Sequence, residues 1–185
     1  AVMFAESIHS LADTLNQTLL AVGIKRSKKV ADDRHSYGYG NERFFWAVIS
    51  ACGVLFVGAG VTIMHAIEGL LHPANEVATI SPITIYVLFF ALVVEGFTLL
   101  VALKELKGSN TQWSKEIFED SDPITLAVVY EDSVAVLGVL IALISQGLIY
   151  LTGNPVFDYL GALFIGILLA VLAVLLIKKN HSYII

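Results

Sequence analysis

The chain has 185 residues, 57% of them hydrophobic and only 15% charged, with 11 Lys and Arg against 16 Asp and Glu, a formal net charge of −5 and a mean hydropathy of +0.79. A soluble domain devotes about a quarter of its residues to charge, so composition excludes an ordinary water-soluble enzyme and makes lipid the surrounding solvent. The single cysteine, Cys52, leaves no intrachain disulfide or thiolate metal cluster.

Five apolar segments, at approximately 1–24, 44–71, 80–103, 123–151 and 157–177, each reach the roughly 20 residues that an α-helix needs to cross a bilayer. Lipid offers the backbone no hydrogen-bond partner, and the runs lack the alternation of a barrel strand, so all five are predicted helices. Ser121, Asp122 and Pro123 read as a cap followed by a first-turn proline, and Thr152–Gly153–Asn154–Pro155 reads as a tight turn. His72–Thr79 and Lys104–Asp122 are read as polar connections, and His181 as part of a terminal tail. Lys25, Arg26, Lys28, Lys29, Arg34 and Arg43 follow the first segment, Lys104, Lys107 and Lys115 the third, Lys178 and Lys179 the fifth, and these are all 11 basic residues. The positive-inside rule places those three basic segments in the cytoplasm. The first residue is then outside and the last inside, so a further helix is expected upstream.

An ionisable side chain inside a bilayer costs at least about 2.5–3.5 kcal/mol, which makes each one a functional candidate. The candidates are Glu6, His9 and Asp13 on the first helix, Glu95 on the third, and Glu131 and Asp132 on the fourth. At a rise of 1.5 Å per residue, Asp13, Asp132 and Glu95 lie about 16, 15 and 13 Å from the cytoplasmic ends of their helices, at one level. His9 and Asp13 are one helical turn apart and share a face, which Glu6 and Asn16 extend. An imidazole with carboxylates suits Zn²⁺ and its neighbours. Neutral His9 with ionised Asp13 and Asp132 supplies the charge that one divalent cation needs. Val128, one turn before Asp132, cannot ligate, and Glu131 points about 100° from Asp132 and reaches the site only if the helix is turned suitably.

The run Glu6-Ser7-Ile8-His9-Ser10-Leu11-Ala12-Asp13, followed by Asn16, resembles the second transmembrane helix of the cation diffusion facilitator family, whose HxxxD or DxxxD pair binds the transported metal. Asp32-Asp33-Arg34-His35-Ser36-Tyr37-Gly38-Tyr39-Gly40 is similar to the DxxHxYGxG stretch that follows that helix in the family. Within the family, Ala1–Asp13, Val94-Glu95-Gly96, Glu131-Asp132-Ser133, Leu137-Gly138 and Gly153-Asn154-Pro155 resemble the zinc transporter nine branch. The resemblance implies an all-α integral membrane fold: residues 1–185 would be a cation efflux transmembrane domain showing five of six helices, without the first helix and the cytoplasmic C-terminal domain. It also implies a homodimer that exchanges cytoplasmic Zn²⁺ for protons by alternating access, with metal ligands His9, Asp13 and Asp132. Glu131, Glu95, Glu6 and Asn16 are auxiliary or proton-coupling candidates, and Asp32 and His35 match two ligands of a second site found in some members. Three departures stand out: Val128 replaces a ligand, Tyr39 replaces a ligand of the loop site, and Lys104–Asp122 contains no histidine.

The expected function is therefore a Zn²⁺/H⁺ antiporter, not an enzyme, with zinc as transported substrate and no cofactor. Its partners are the metal ion, protons, the lipid bilayer and a second copy of the chain. Its location is the inner membrane of a bacterium or an organelle membrane of a eukaryote. A zinc-binding regulatory or scaffold protein without transport, and a transporter preferring Mn²⁺, Fe²⁺ or Co²⁺, are the alternatives. Neither HExxH nor GxSxG occurs, so an intramembrane protease has no signature here. With Glu6, Asp13, Glu95, Glu131 and Asp132 assigned to the membrane, the remaining acids equal the bases in number, and nothing points to a nucleic acid or other polyionic partner. His65, Glu68 and His72 are read as structural or exit-side groups, Asp158 as a favourable first-turn charge. Ala162, Gly166 and Ala170, with Gly53, Gly58 and Gly60, are read as packing faces available to helix neighbours or a dimer partner.

Overall fold

The computed structural model describes residues 1–33, 35–36, 38–72, 81–107 and 123–181. The expected connection at 73–79, most of that at 104–122, the cap residues Ser121 and Asp122, and the loop residues Arg34 and Tyr37 lie outside them. Five long helices make up the described chain: α1 (Val2–Ser27), α2 (Glu42–Leu71), α3 (Pro82–Lys107), α4 (Pro123–Thr152) and α5 (Val156–His181). Four of them, α2 to α5, are long and apolar enough to cross a membrane. At 26 residues α1 is long enough as well, but its polar stripe lowers its apolar character.

The helices outrun the predicted apolar segments mainly at their basic ends, α1 to Ser27, α3 to Lys107 and α5 to His181. Cationic side chains complement the carbonyl end of a helix and reach water on long stems, so the helices end in basic turns. His181 accordingly sits in the last turn of α5 rather than in a tail. The turn into α5 is closed as its residues dictate: Gly153 takes a left-handed φ of 67°, its N–H donates to the Ile149 carbonyl at 2.7 Å, and the Asn154 side chain accepts from the Val156 N–H at 3.0 Å.

The helix packing separates a body from a wing. α1, α2 and α5 pack on one another along their lengths, whereas α3 packs chiefly on α4, and only 11% of its spanning stretch is buried. α4 joins α3 to α5, and its contact with α1 is short. The core uses small side chains, among them Ala5, Ala12, Ala59, Ala142, Ala162 and Ala173. In lipid, helix association depends on close packing, which small residues permit. Two of the glycines read as packing faces do pack on neighbouring helices: a side chain on Gly166 would come 2.6 Å from Ile63, and one on Gly58 3.4 Å from Ala12. Near its middle α2 widens into a π-helical stretch, Val54–Gly60, where glycine removes side-chain bulk against α1.

Candidate metal centre

On α1 the usual amphipathic logic is reversed. Ala5, Glu6, His9, Ala12 and Asn16 form the buried stripe, while Leu11 and Leu15 are exposed on the opposite face. Such an arrangement suits a helix whose outer face meets lipid and whose inner face serves an ion. His9 is only 3% exposed, and neither of its ring nitrogens has a hydrogen-bond partner among the described residues; the same holds for Oε2 of the buried Glu6. A buried polar atom without a partner costs about 1–3 kcal/mol. Its retention points to a ligand that supplies the missing bond.

Nε2 of His9 lies 4.0 Å from Oδ2 of Asp13. Two donors on one tetrahedral Zn²⁺ sit about 3.3 Å apart, so a small rotation brings the pair to chelating distance. Asp13 is within electrostatic range of Asp132 and Glu95, and Glu95 also of His9 and Glu6. Thr98, on the same wing helix as Glu95, places its side chain in hydrogen-bonding range of Asp132, and its hydroxyl also donates to the Glu95 carbonyl at 2.9 Å. Thr98 had no sequence signal, because a threonine in an apolar helix costs little and is common there.

Among the described residues no three His, Cys, Asp or Glu side chains converge closely enough to hold a metal ion. The predicted set of His9, Asp13 and Asp132 thus stands as an α1 pair faced by a carboxylate across the seam to α4. A metal would draw the wing toward the body.

The rotation of α4 differs from the expectation. Glu131, expected to reach the centre only conditionally, is the buried acid at 6% exposure, whereas Asp132 is partly exposed and Val128 is on the outer surface at 36%. Glu131 turns toward the body, where its Oε1 accepts from Nδ2 of Asn16 at 2.7 Å, and the Ser50 hydroxyl donates to Oδ1 of the same asparagine. Glu131 and Asn16 are therefore bonded to each other, and Glu131 is also within electrostatic range of Asp13 and Asp132. Ser50 escaped sequence reasoning for the same reason as Thr98. At the other end of α1, the carboxylate of Asp158 accepts from the Val2 N–H at 3.1 Å and from Gln146 at 3.3 Å, so it ties α1, α4 and α5 together. His65 packs its ring on Phe4 with centroids 4.4 Å apart.

The loop candidates form a turn. The Asp32 carboxylate accepts from the His35 N–H at 2.8 Å and from the Tyr39 hydroxyl at 2.6 Å, the two residues form a backbone bridge, and the His35 and Tyr39 rings lie 4.1 Å apart. Each carboxylate oxygen accepts one bond within the turn, Nδ1 of His35 stands 3.4 Å from Oδ1 of Asp32, and Tyr39 closes the turn. The hydrogen bond to Asp32 pushes the Tyr39 hydroxyl above its ordinary pKa. The protonated hydroxyl donates to the ionised carboxylate, so the contact is present at neutral pH and is lost as pH rises through the higher folded value. Asp32→Asn is expected to lower the Tyr39 pKa toward its ordinary value, read from the ring carbon shift by NMR, with zinc affinity at neutral pH unchanged. A large loss of zinc affinity would restore the loop as a metal site.

The cation efflux transmembrane domain family matches residues 1–185. The chain is 45% identical over 184 residues to the mitochondrial proton-coupled zinc antiporter SLC30A9 of Mus musculus, covering 97% of this chain and 32% of that protein. It is 43% identical over 184 residues to the Homo sapiens protein of the same name, with the same coverage. It is 37% identical over 188 residues to metal tolerance protein C4 of Arabidopsis thaliana, covering 97% of this chain and 40% of that protein. The chain thus spans about a third of the length of the mammalian relatives it matches.

Proposed function

Because this chain belongs to the cation efflux family, the cation diffusion facilitators, we propose that it is the membrane domain of a Zn²⁺/H⁺ antiporter that works by alternating access. The observation that carries this reading is His9, buried with both ring nitrogens unpartnered among the described residues and 4.0 Å from the Asp13 carboxylate. Zinc is the transported substrate. His9 and Asp13 bind it first, and Asp132 closes on it from α4. Glu95 stands where it can take the place of the ligand that Val128 lacks, since it is within electrostatic range of all three.

Exchange follows from competition. Neutral imidazole and ionised carboxylates bind the metal, and protons arriving from the opposite side take the same lone pairs and release it. Apparent zinc affinity on the release side therefore falls as that side is acidified. The names of the relatives support a mitochondrial membrane as the site of action, and the family supports a homodimer and a transporter without enzymatic activity.

The test is zinc flux by the full-length protein in proteoliposomes. Zinc is expected to move against an opposed proton gradient and to stop when the gradient is collapsed. Saturable zinc binding with no flux under any gradient would assign a sensor or scaffold instead. In a competition series, Mn²⁺, Fe²⁺ and Co²⁺ are expected to inhibit zinc flux less than zinc competes with itself.

A further inference from the structure

A narrow cavity of about 30 Å³ opens between α1, α2, α4 and α5. Its walls include Leu20, Ile24, Arg43, Ala127 and Asn180, which all lie toward the basic ends of these helices, and its lining also includes Asn16 and Glu131. Asn16 is three residues beyond Asp13 toward that end, and Glu131 is one residue short of Asp132 along α4. The cavity therefore rises from the basic end and stops one step below the metal level. What closes it is the hydrogen-bonded set of Asn16, Ser50 and Glu131, contributed by three helices and almost wholly buried.

We propose that this floor is an access subsite for a divalent cation that has shed most of its water on its way to His9 and Asp13, held shut in this structure by the bonds of Asn16 to Glu131 and Ser50. The reading rests on the transport function proposed above and adds to it a route and a gate. The two acceptors in the set, Oε1 of Glu131 and Oδ1 of Asn16, are hard oxygen donors of the kind that receive such a cation. A cation arriving in the cavity competes for these oxygens against an amide N–H and a hydroxyl. When it wins, the bond between α1 and α4 is released, and their contact is otherwise short. Glu131 thus serves as a gate acceptor and not as a ligand of the transported metal in its central site.

Cysteine accessibility tests this in the full-length protein in proteoliposomes, on a background with Cys52 and every other cysteine of the full-length protein replaced, with a charged membrane-impermeant methanethiosulfonate applied from the basic side. Leu20→Cys, within the cavity, is expected to label fast in every variant. Asp13→Cys, beyond the floor, is expected to label slowly, and to label about tenfold faster when Asn16→Ala or Glu131→Ala removes the interhelical bond. Glu131→Gln keeps the acceptor oxygen, so Asp13→Cys is expected to stay slow in that variant. Fast labelling of Asp13→Cys with the set intact, or no acceleration by Asn16→Ala, overturns the gate. Slow labelling of Leu20→Cys overturns the route. None of these readouts needs zinc flux, so an inactive protein with a working gate would sink the antiporter reading alone, and an active one without these differences would sink only the gate.

Discussion

Asp13→Ala and Asp132→Ala each reduce zinc transport by at least about a hundredfold, because loss of even an outer partner of a metal ligand costs about 10–100-fold and these residues are assigned as the ligands themselves. The two substitutions fail for different reasons. Asp13 is one half of the preformed pair on α1, 4.0 Å from His9, so its loss is expected to abolish high-affinity zinc binding as well as flux. Asp132 faces that pair from α4 and completes the site only when the wing approaches, so Asp132→Ala leaves residual binding at His9 and Asp13 but no transport. Isothermal titration with zinc and flux in proteoliposomes separate the two. Glu131→Gln, one residue away, is expected to keep zinc binding, since Glu131 is bonded to Asn16 and the substitution keeps the acceptor oxygen. Unchanged transport in Asp13→Ala would remove the α1 pair from the site, and loss of zinc binding in Glu131→Gln with Asp132→Ala silent would exchange the roles of the two acids on α4.

Gly161→Ala destabilises the bundle by about 1–3 kcal/mol, the usual cost of forcing a methyl group into a filled seam. A Cβ at this position would stand 2.0 Å from the Ser145 hydroxyl oxygen and 2.9 Å from both the Ser145 Cβ and a Val2 methyl carbon. The hydroxyl can rotate away. The Ser145 Cβ cannot, because it is fixed to the α4 backbone, so α4 and α5 must separate or α1 must withdraw. Ser145→Gly clears the obstacle, and the double variant Gly161→Ala with Ser145→Gly is expected to recover most of the loss. Thermal unfolding of the four proteins of this cycle in detergent measures the coupling. A Gly161→Ala protein as stable as the parent would mean that the seam is looser than described.

Much of the fold is legible in the residues, for a reason specific to lipid. A backbone without water must bond to itself, so every apolar run of sufficient length is a helix, and the basic residues order the ends. The pairing of His9 with Asp13 is equally legible, because a spacing of four on a helix places two side chains on one face whatever surrounds it. Asp32, Tyr39 and Asp158 show where such reading stops. Their partners are distant in the chain or belong to the turn itself, and an acid in a loop reads alike as ligand and as staple until its hydrogen bonds are seen.

The rotation of α4 is the clearest division between the two kinds of information. Along α4 apolar residues surround Glu131 and Asp132 on every side, so helical periodicity marks no preferred face, and turning the helix by one residue position changes little in its exposure to lipid. The sequence by itself determined the helices and the shared face of His9 and Asp13 on α1. Only the tertiary structure decided which acid of α4 looks into the body. Close packing of Gly161 on Ser145 and the bond from Asn16, itself held by Ser50, select one rotation, and these contacts come from three other helices, whose approach no local pattern encodes.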